Sequence, residues 1–309
     1  MDINFHIPDF TVHFRLNAIL VNTMNEFPHY YREGVRIASI FGNFHGTVWN
    51  GGRVFVGNTA PETIKNTIQY FNERNVPLRF TFTNPLINKQ HLGDSMCNQL
   101  LRTANTGLNE VIVMSPVLEE YIRENYPSYP ITSSTCKQIE DIDGLNEELR
   151  KDYKYVVLDY NLNNRFDLLE KIDPENRGRC EILINACCIP NCPRRGEHYR
   201  LIGQDQIDEW EYKKNPLNKK PFTPSHVFDC DSTSRTIYDI MKFPTYVSPE
   251  AIFEKYIPMG FTNFKIEGRS MPDIKLLETY IHYLVKPEYQ NEVRMKMFQA
   301  LAGKLFFTN

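Results

Sequence analysis

Short apolar runs alternate along the chain with segments in which apolar residues recur every three or four positions. The short runs, rich in β-branched residues, predict strands, and the longer periodic segments predict amphipathic helices. The predicted strands cover residues 35–40, 79–83, 110–114, 131–135, 155–159, 181–185, 244–248 and 263–267. Helices are predicted over residues 61–75, 95–105, 116–125, 142–152, 165–172, 249–259 and 272–285. The pattern is therefore that of an α/β protein.

Eight strands that alternate with helices are compatible with two architectures. Parallel strands joined by right-handed helical crossovers can close into a TIM-like (β/α)8 barrel or form an open doubly wound sheet. The count of eight, together with the lack of a G-x-G-x-x-G motif after the first predicted strand, favours the barrel. We therefore predict a single-domain TIM-like barrel over residues 35–285, interrupted by a long loop over residues 186–243.

The two ends of the chain are predicted to lie outside the barrel. Residues 1–34 are expected to form an N-terminal extension, in which the alternating residues 11–16 form an extra strand or a β hairpin with residues 53–57 across the barrel bottom. Residues 286–309 are expected to carry a C-terminal helix against the outside of the barrel. Because active sites of such barrels lie at the C-terminal ends of the strands, the loop over residues 186–243 is the first candidate for function.

Composition excludes several classes of protein. The 309 residues carry 35 basic and 38 acidic side chains, for a net charge of −3, so the chain lacks the basic charge of a protein that binds DNA over its whole surface. No run approaches the roughly 18 uncharged apolar residues that indicate a membrane span. The N-terminus has neither the basic nor the apolar region of a secretory signal peptide, so we expect a cytoplasmic protein.

The seven cysteines point to a metal or to catalysis, because an odd number without a secretory signal argues against a disulfide framework. Cys188 and Cys192 follow a predicted strand in a loop that contains two prolines, and Cys230 returns just before the next predicted strand. The three sulfurs can therefore reach the same end of the barrel. Thiolates bind zinc or iron–sulfur clusters. Since the paired C-x-x-C motifs typical of zinc sites are absent, a [4Fe–4S] cluster is favoured, with zinc as the alternative.

A fourth cysteine ligand is less clearly indicated. Cys187 neighbours Cys188, and adjacent side chains of an extended chain point in opposite directions. Cys180 precedes its predicted strand and so lies at the wrong end of the barrel, and Cys97 falls in a predicted helix, where a structural role is expected. Cys136 follows a predicted strand at the correct end, so it is the candidate for a fourth thiolate.

Two motifs together resemble the peptidase U32 family, also called collagenase-like peptidases. They are the run NACCIPNCPRRGEHY over residues 185–199, followed by Cys230, and the run FKIEGR over residues 264–269. The resemblance extends over about residues 35–285 and implies a TIM-like barrel. Several members of this family hold a cysteine-ligated [4Fe–4S] cluster, and the resemblance matches Cys188 and Cys192 to cluster-type cysteines.

The same resemblance extends to residues outside the cysteine loop. It matches Cys230 to the cluster-type cysteines, and Glu267 and Arg269 to the late family motif. Glu267 is expected to act either as a base or as half of an orienting ion pair, and His198 either as a general acid or as a hydrogen-bonding residue behind the site. Characterised relatives are implicated in oxygen-independent hydroxylation of tRNA or ribosomal RNA bases or of a quinone precursor, and others retain a protease label.

These observations leave three functional hypotheses. The first is an iron–sulfur enzyme that carries out an oxygen-independent hydroxylation or related redox modification, with RNA or a small molecule as substrate. Residues 194–220 carry seven basic against five acidic side chains with interleaved aromatic residues, which could bind RNA or could form an ordinary solvated loop. The second hypothesis is a peptidase, although neither G-x-S-x-G nor H-E-x-x-H occurs in the sequence. The third is a non-catalytic iron–sulfur or zinc-binding protein that acts with a partner subunit.

Overall fold

The computed structural model describes residues 2–215, 217–226, 230–269 and 271–303, and within them eight parallel strands close into a barrel in chain order. The strands are β1 Ile3–Pro8, β2 Val35–Gly42, β3 Leu78–Phe82, β4 Glu110–Val113, β5 Ile131–Ser133, β6 Tyr155–Val157, β7 Cys180–Leu183 and β8 Asn263–Lys265. Strand β1 closes the barrel by pairing with both β2 and β8. The predicted TIM-like α/β barrel is confirmed.

The first barrel strand comes from the segment that was predicted to be an N-terminal extension. Strand β1 is buried along nearly its whole length. Its two polar residues, Asn4 and His6, interrupt the apolar run by which a buried parallel strand is recognised in a sequence. The strand predicted over residues 244–248 is wrong, because this segment forms turns and irregular backbone. One backbone hydrogen bond, from Val247 N–H to the Ile184 carbonyl at 3.0 Å, joins it to the end of β7.

The predicted β hairpin between residues 11–16 and 53–57 is also wrong. The chain enters helix α1, Phe14–Glu26, within the first segment, and the second segment has no strand. Leu16 and Leu20, one helical turn apart, are fully buried in the core. The short alternation over residues 11–16 was thus the beginning of a helical pattern, which six residues are too few to distinguish from a strand.

Helices cover the outside of the barrel. They are α1 Phe14–Glu26, α2 Pro61–Asn72, α3 Ser95–Thr103, α4 Pro116–Asn125, α5 Ile142–Leu149, α6 Phe166–Leu169, α7 Pro174–Arg177, α8 Arg195–Lys214, α9 Ile237–Ile240, α10 Pro249–Ala251, α11 Asp273–Leu284 and α12 Gln290–Ala302. A short π-helix, Ile252–Tyr256, continues α10. The C-terminal helix α12 packs against α1 and α11, and residues 304–309 of the predicted C-terminal segment lie outside the described residues. No helix in the described ranges is long and apolar enough to cross a membrane.

Helix α8 lies within the stretch predicted to be a long loop. Its buried face is largely polar and includes Gln206 and Glu209, so the apolar period that predicts a helix is missing. The Gln206 carboxamide oxygen accepts hydrogen bonds from the Phe55 N–H at 2.7 Å and from Asn50 Nδ2 at 2.9 Å. Asn84 Nδ2 donates to the Gly203 carbonyl at 3.0 Å. Polar contacts therefore hold α8 across the loops that follow β2 and β3.

Inside the barrel, five ionisable side chains form a buried cluster that we call the interior network. Its members are His6, Arg79, Glu110, Glu181 and Lys265, all at most 7% exposed. Arg79 Nη1 lies 2.6 Å from Glu181 Oε2, and Arg79 Nε lies 3.2 Å from Glu110 Oε2. Lys265 Nζ lies 3.0 Å from the second Glu181 oxygen. The charges of the barrel interior are thus paired with one another.

Candidate functional site

Three of the predicted ligand cysteines line one cavity beyond the C-terminal end of β7. Cys188 and Cys192 come from the loop after β7, and Cys230 comes from the segment before α9. The cavity holds about 330 Å³. Its other lining residues are Ile189, Arg194, Arg195, His198, Asp231 and Arg235. The fold therefore brings Cys230 to two thiols that lie 38 and 42 residues earlier in the chain, in a largely cationic surrounding.

The remaining cysteines lie elsewhere. Cys136 lines a neighbouring cavity, to which Cys188 also contributes, and does not line the cavity of the three thiols. Cys187 is buried against Ile240 and Met271, whereas Cys188 packs against a different group that includes Leu183. Cys180 and Cys97 are among the buried core residues. Cys187 and Cys188 thus have different neighbours, and Cys180 is the first residue of β7, at the end of that strand away from the cysteine loop.

Glu267 is half of an ion pair that holds the cysteine loop. Its Oε1 lies 2.9 Å from Arg53 Nη2, and its Oε2 accepts a hydrogen bond from the Cys187 N–H at 2.9 Å. Both carboxylate oxygens are therefore engaged, which favours the orienting role over that of a free base. Arg53 was missed by the sequence analysis, and the adjacent Asn50-Gly51-Gly52 turn was the signal that could have drawn attention to it.

The asparagine that opens the cysteine motif joins the ends of two strands. Asn185 Oδ1 accepts from the Glu267 N–H at 2.7 Å, and Asn185 Nδ2 donates to the Glu267 carbonyl at 3.0 Å. A side-chain amide thus continues the hydrogen bonding of the sheet where β7 and β8 have ended. The arrangement fixes the cysteine loop relative to the segment that carries Glu267.

Arg269 is held under the loop that follows β2. Its guanidinium donates to Thr81 Oγ1 at 2.9 Å and to the Gly51 carbonyl at 2.8 Å. Burial, and then the neighbouring Arg53, lower the pKa of Arg269 to about 10, so it remains a cation at neutral pH. Gly52 has φ of 74°, and a Cβ there would lie 2.4 Å from Arg269 Nη2. A side chain at position 52 would therefore displace the guanidinium.

The beginning of α8 contributes residues to both cavities, Arg195 to the cavity of the three cysteines and Tyr199 to the neighbouring one. Arg195 forms an ion pair with Asp159, donates to Tyr199 Oη at 3.0 Å and lies over the Tyr160 ring, 4.4 Å from its centroid. It also donates to Thr135 Oγ1 at 3.0 Å. Arg195 therefore links the ends of β5 and β6 to the helix that follows the cysteine loop.

His198 lies one turn into α8 and lines the cavity of the three cysteines. Burial lowers its pKa, and the positive charge of Arg53 lowers it further. The imidazole is therefore neutral at neutral pH, which fits a hydrogen-bonding role better than that of a charged acid. Burial, together with the Glu267 carboxylate, raises the pKa of Cys188 in the same region to about 12. A free thiol at this position would stay protonated.

The neighbouring cavity lies over the barrel axis and is lined by residues from several strand ends, including Phe41, Thr83, Ser134 and Leu183. Arg53, Arg269 and Lys265 bring three cationic groups to its wall. Glu267 pairs with Arg53 and Glu181 pairs with Lys265, so these two carboxylates leave the charge of Arg269 in excess. Burial lowers the pKa of Lys265 to about 8, although Glu181 opposes this shift, so most of its population is charged at neutral pH. The cavity can therefore bind an anionic group.

In the basic stretch that is the candidate for RNA binding, two lysines of α8 contact neighbouring groups of the protein itself. Lys213 Nζ donates to the Gly57 carbonyl at 2.6 Å and pairs with Glu209 at 3.0 Å. Lys214 Nζ lies 3.2 Å from the centroid of the Trp210 ring. These contacts fit the alternative of an ordinary solvated helix end.

Comparisons with known proteins find similarity to the U32 peptidases. Residues 43–188 match the family model described as peptidase family U32. The chain is 23% identical over 271 residues to an uncharacterized protease of Methanocaldococcus jannaschii, and the match covers 82% of this chain and 74% of that protein. A solved U32 peptidase aligns with 88% of this chain and 95% of its own at 13% identity, with a TM-score of 0.49. The spore cortex-lytic enzyme SleL of Bacillus cereus aligns with 89% of this chain and 73% of its own at 10% identity, with a TM-score of 0.37. The family match and the curated relative confirm the predicted resemblance to the U32 peptidase family.

Proposed function

We propose that this barrel is a redox enzyme that binds a [4Fe–4S] cluster through Cys188, Cys192 and Cys230. The observation that carries the proposal is that these three thiols, from two separate segments, line one cavity at the end of the barrel where active sites form. The donor set fits the group, because thiolates are the usual protein ligands of iron–sulfur clusters. Arg195 and Arg235 line the same cavity and would offset the negative charge of a thiolate-bound cluster.

The neighbouring cavity is the proposed substrate site. Cys188 lines both cavities, so a cluster on Cys188 would adjoin a substrate held there. Arg53 and Arg269 would bind an anionic group of the substrate, while Glu267 keeps Arg53 and the cysteine loop in place. Since Cys136 lines this second cavity and not the first, we propose that three protein thiolates would hold the cluster and that Cys136 would lie at the substrate site.

When bound, the cluster would carry electrons between the substrate and an oxygen-donating co-substrate, which accepts the two electrons that a hydroxylated substrate loses, or would supply an iron that polarises an oxygen. The protein's part is to position the substrate and to limit the access of water, which the buried walls of the cavity support. By the family resemblance, the reaction is an oxygen-independent hydroxylation or a related redox modification. RNA and an anionic small molecule are the two candidate substrates.

The test is an anaerobic preparation of the full chain, reconstituted with iron and sulfide. Visible absorption and quantification of iron, sulfide and zinc are compared for the wild type, Cys192→Ala and the control Cys97→Ala, which removes a core thiol from α3. We expect a brown wild type and control with equal amounts of iron and sulfide, and a colourless or rapidly bleached Cys192→Ala. A colourless wild type would overturn the proposal, and zinc without iron would replace the cluster with the zinc alternative.

A peptidase remains the second candidate, because the matching family and the curated relative both carry a peptidase or protease name. Such an activity needs a nucleophile beside a base. In the described structure His226 Nδ1 contacts both Ser225 Oγ, at 3.4 Å, and Asp205, at 2.7 Å. A catalytic triad would need the serine at the other ring nitrogen. Cleavage of a peptide library by the wild type, with or without iron, would favour this candidate over the redox proposal.

A further inference from the structure

We infer that Asp205, Asp208 and His226 form a second metal site, for a divalent cation, that joins α8 to the segment over residues 217–226. One potential ligand atom from each of the three residues lies within 4.8 Å of the other two. Asp205 and Asp208 are three residues apart on α8, so they share one helix face. His226 reaches this face from the segment that follows the helix.

The state of Asp205 is the second observation that points to a cation. Its side chain is 1% exposed, and its Oδ2 is buried without a hydrogen-bond donor among the described residues. Its Oδ1 accepts from the Ser225 N–H at 3.1 Å and contacts His226 Nδ1 at 2.7 Å. A buried carboxylate oxygen without a donor costs free energy, and a metal ion would remove that cost.

The donor set defines the class of ion. Two carboxylates and one imidazole suit a first-row divalent ion such as Mn²⁺ or Zn²⁺, with water in the remaining positions. Two carboxylate charges also balance the charge of such an ion. Gln204 Nε2 donates to Asp208 Oδ1 at 2.7 Å, which orients that carboxylate from outside the site.

The site is separate from the cysteine cavity. Asp205 lies ten residues beyond Arg195 on α8, or about 15 Å along the helix axis. His226 precedes Cys230 by four residues. A bound ion would therefore fix to α8 the segment that leads to the third cysteine, and it would do so whether or not a cluster is present.

Mn²⁺ is the probe, because it prefers oxygen and imidazole ligands over the thiols of the other cavity. Binding to the chelator-treated full chain is followed by the loss of the electron paramagnetic resonance signal of free Mn²⁺. We expect one Mn²⁺ per chain, weakened at least about tenfold in Asp208→Asn and in His226→Ala and unchanged in Cys192→Ala. Glu211→Gln, which changes an exposed carboxylate one turn further along α8, is the matched control and should bind like the wild type.

A second measurement tests the joining role. Trypsin cleavage after Lys219, within the joined segment, should slow about tenfold when Mn²⁺ saturates the wild type, and should be insensitive to Mn²⁺ in His226→Ala. The inference is overturned if the wild type binds no Mn²⁺, or if binding is lost in Cys192→Ala and kept in Asp208→Asn. Binding without protection from trypsin would overturn the link between α8 and this segment.

Discussion

The barrel contains two groups of charged side chains that differ in the balance of positive and negative charge. In the interior network, Arg79 lies between two carboxylates, and each of its ion pairs is sealed from solvent. At the C-terminal end of the barrel, which we call the mouth, Arg53 and Arg269 line a cavity together with the single carboxylate of Glu267. A buried ion pair cannot lose one partner without leaving an uncompensated charge in the core, whereas an excess of one sign at a cavity wall is able to bind a ligand.

Lys265 lies between the two groups and belongs to both of them. Its Nζ pairs with Glu181 of the interior network, and the same side chain lines the cavity at the mouth. Strand β8 ends at Lys265, so a single residue separates the structural layer from Glu267, the carboxylate of the mouth. Substitutions on either side of this boundary should therefore have different consequences, which gives four tests.

The largest effect is expected from breaking the interior network. Arg79→Met removes the cation and leaves Glu110 and Glu181 as buried carboxylates that have lost a partner. We expect the free energy of unfolding to fall by about 3–5 kcal/mol, measured by urea denaturation. Arg36→Met is the control, because Arg36 is 57% exposed in its ion pair and should cost at most about 1 kcal/mol. Equal losses in the two variants would show that the interior network is not structural.

The second test concerns the turn that holds Arg269. Gly52→Ala places a Cβ against the guanidinium at a residue with positive φ, so backbone strain adds to overpacking. We expect a loss of about 2–4 kcal/mol in the free energy of unfolding. Gly107→Ala is the matched control, since Gly107 has φ of 82° but open space where a Cβ would lie, and it should cost about 1–2 kcal/mol. If both variants lose the same amount, the contact with Arg269 contributes nothing.

Sequence periodicity predicted the barrel because strands and amphipathic helices each bury an apolar face, and that face is visible in the residues. It failed where the buried face is polar. Helix α8 packs through Gln206 and Glu209, and β1 contains the buried His6, so neither shows the expected period. Hydrogen bonds that satisfy buried polar groups form between distant parts of the chain, and no local pattern records them.

Only part of the candidate site was predictable from the sequence, as with the fold. Cys188 and Cys192 follow a predicted strand that the structure contains as β7, and the end of such a strand lies at the mouth of a parallel barrel. Cys230 was placed before a predicted strand that the structure lacks over residues 244–248, so its position at the same cavity follows from the tertiary fold. Arg53 is different, because it lies in the loop after β2 and meets Glu267 through a contact across 214 residues. A contact of this range follows from the closed barrel and not from any spacing in the chain.

The third test separates positioning at the mouth from the interior network. Asn185→Ala leaves the N–H and carbonyl of Glu267 without their side-chain partner, at a buried position. We expect a loss of about 1–3 kcal/mol in the free energy of unfolding, together with faster loss of iron to a chelator in the reconstituted protein. Asn66→Ala, on the exposed face of α2, should change stability by no more than about 0.5 kcal/mol. Iron retention equal to the wild type would contradict the positioning role.

The fourth test uses pH to probe the interior network without removing an ion pair. Burial lowers the pKa of His6 from 6.5 to about 3, although the Glu181 carboxylate opposes the shift. Between these values the unfolded chain binds a proton that the folded chain does not, so stability decreases as the pH falls. From about pH 6 to about pH 5 this group alone should lower the free energy of unfolding by about 1 kcal/mol.

Urea denaturation of the wild type and His6→Gln at these two pH values isolates the contribution of this group. The variant should show a change smaller by about 1 kcal/mol, because glutamine does not titrate in this range. His29→Gln, at an exposed histidine, should reproduce the change seen in the wild type. If the His6 variant keeps the full change as well, His6 is protonated in the folded barrel and the interior network carries one more positive charge. The contrast in balance between interior and mouth would then disappear, because both groups would hold an excess of cations.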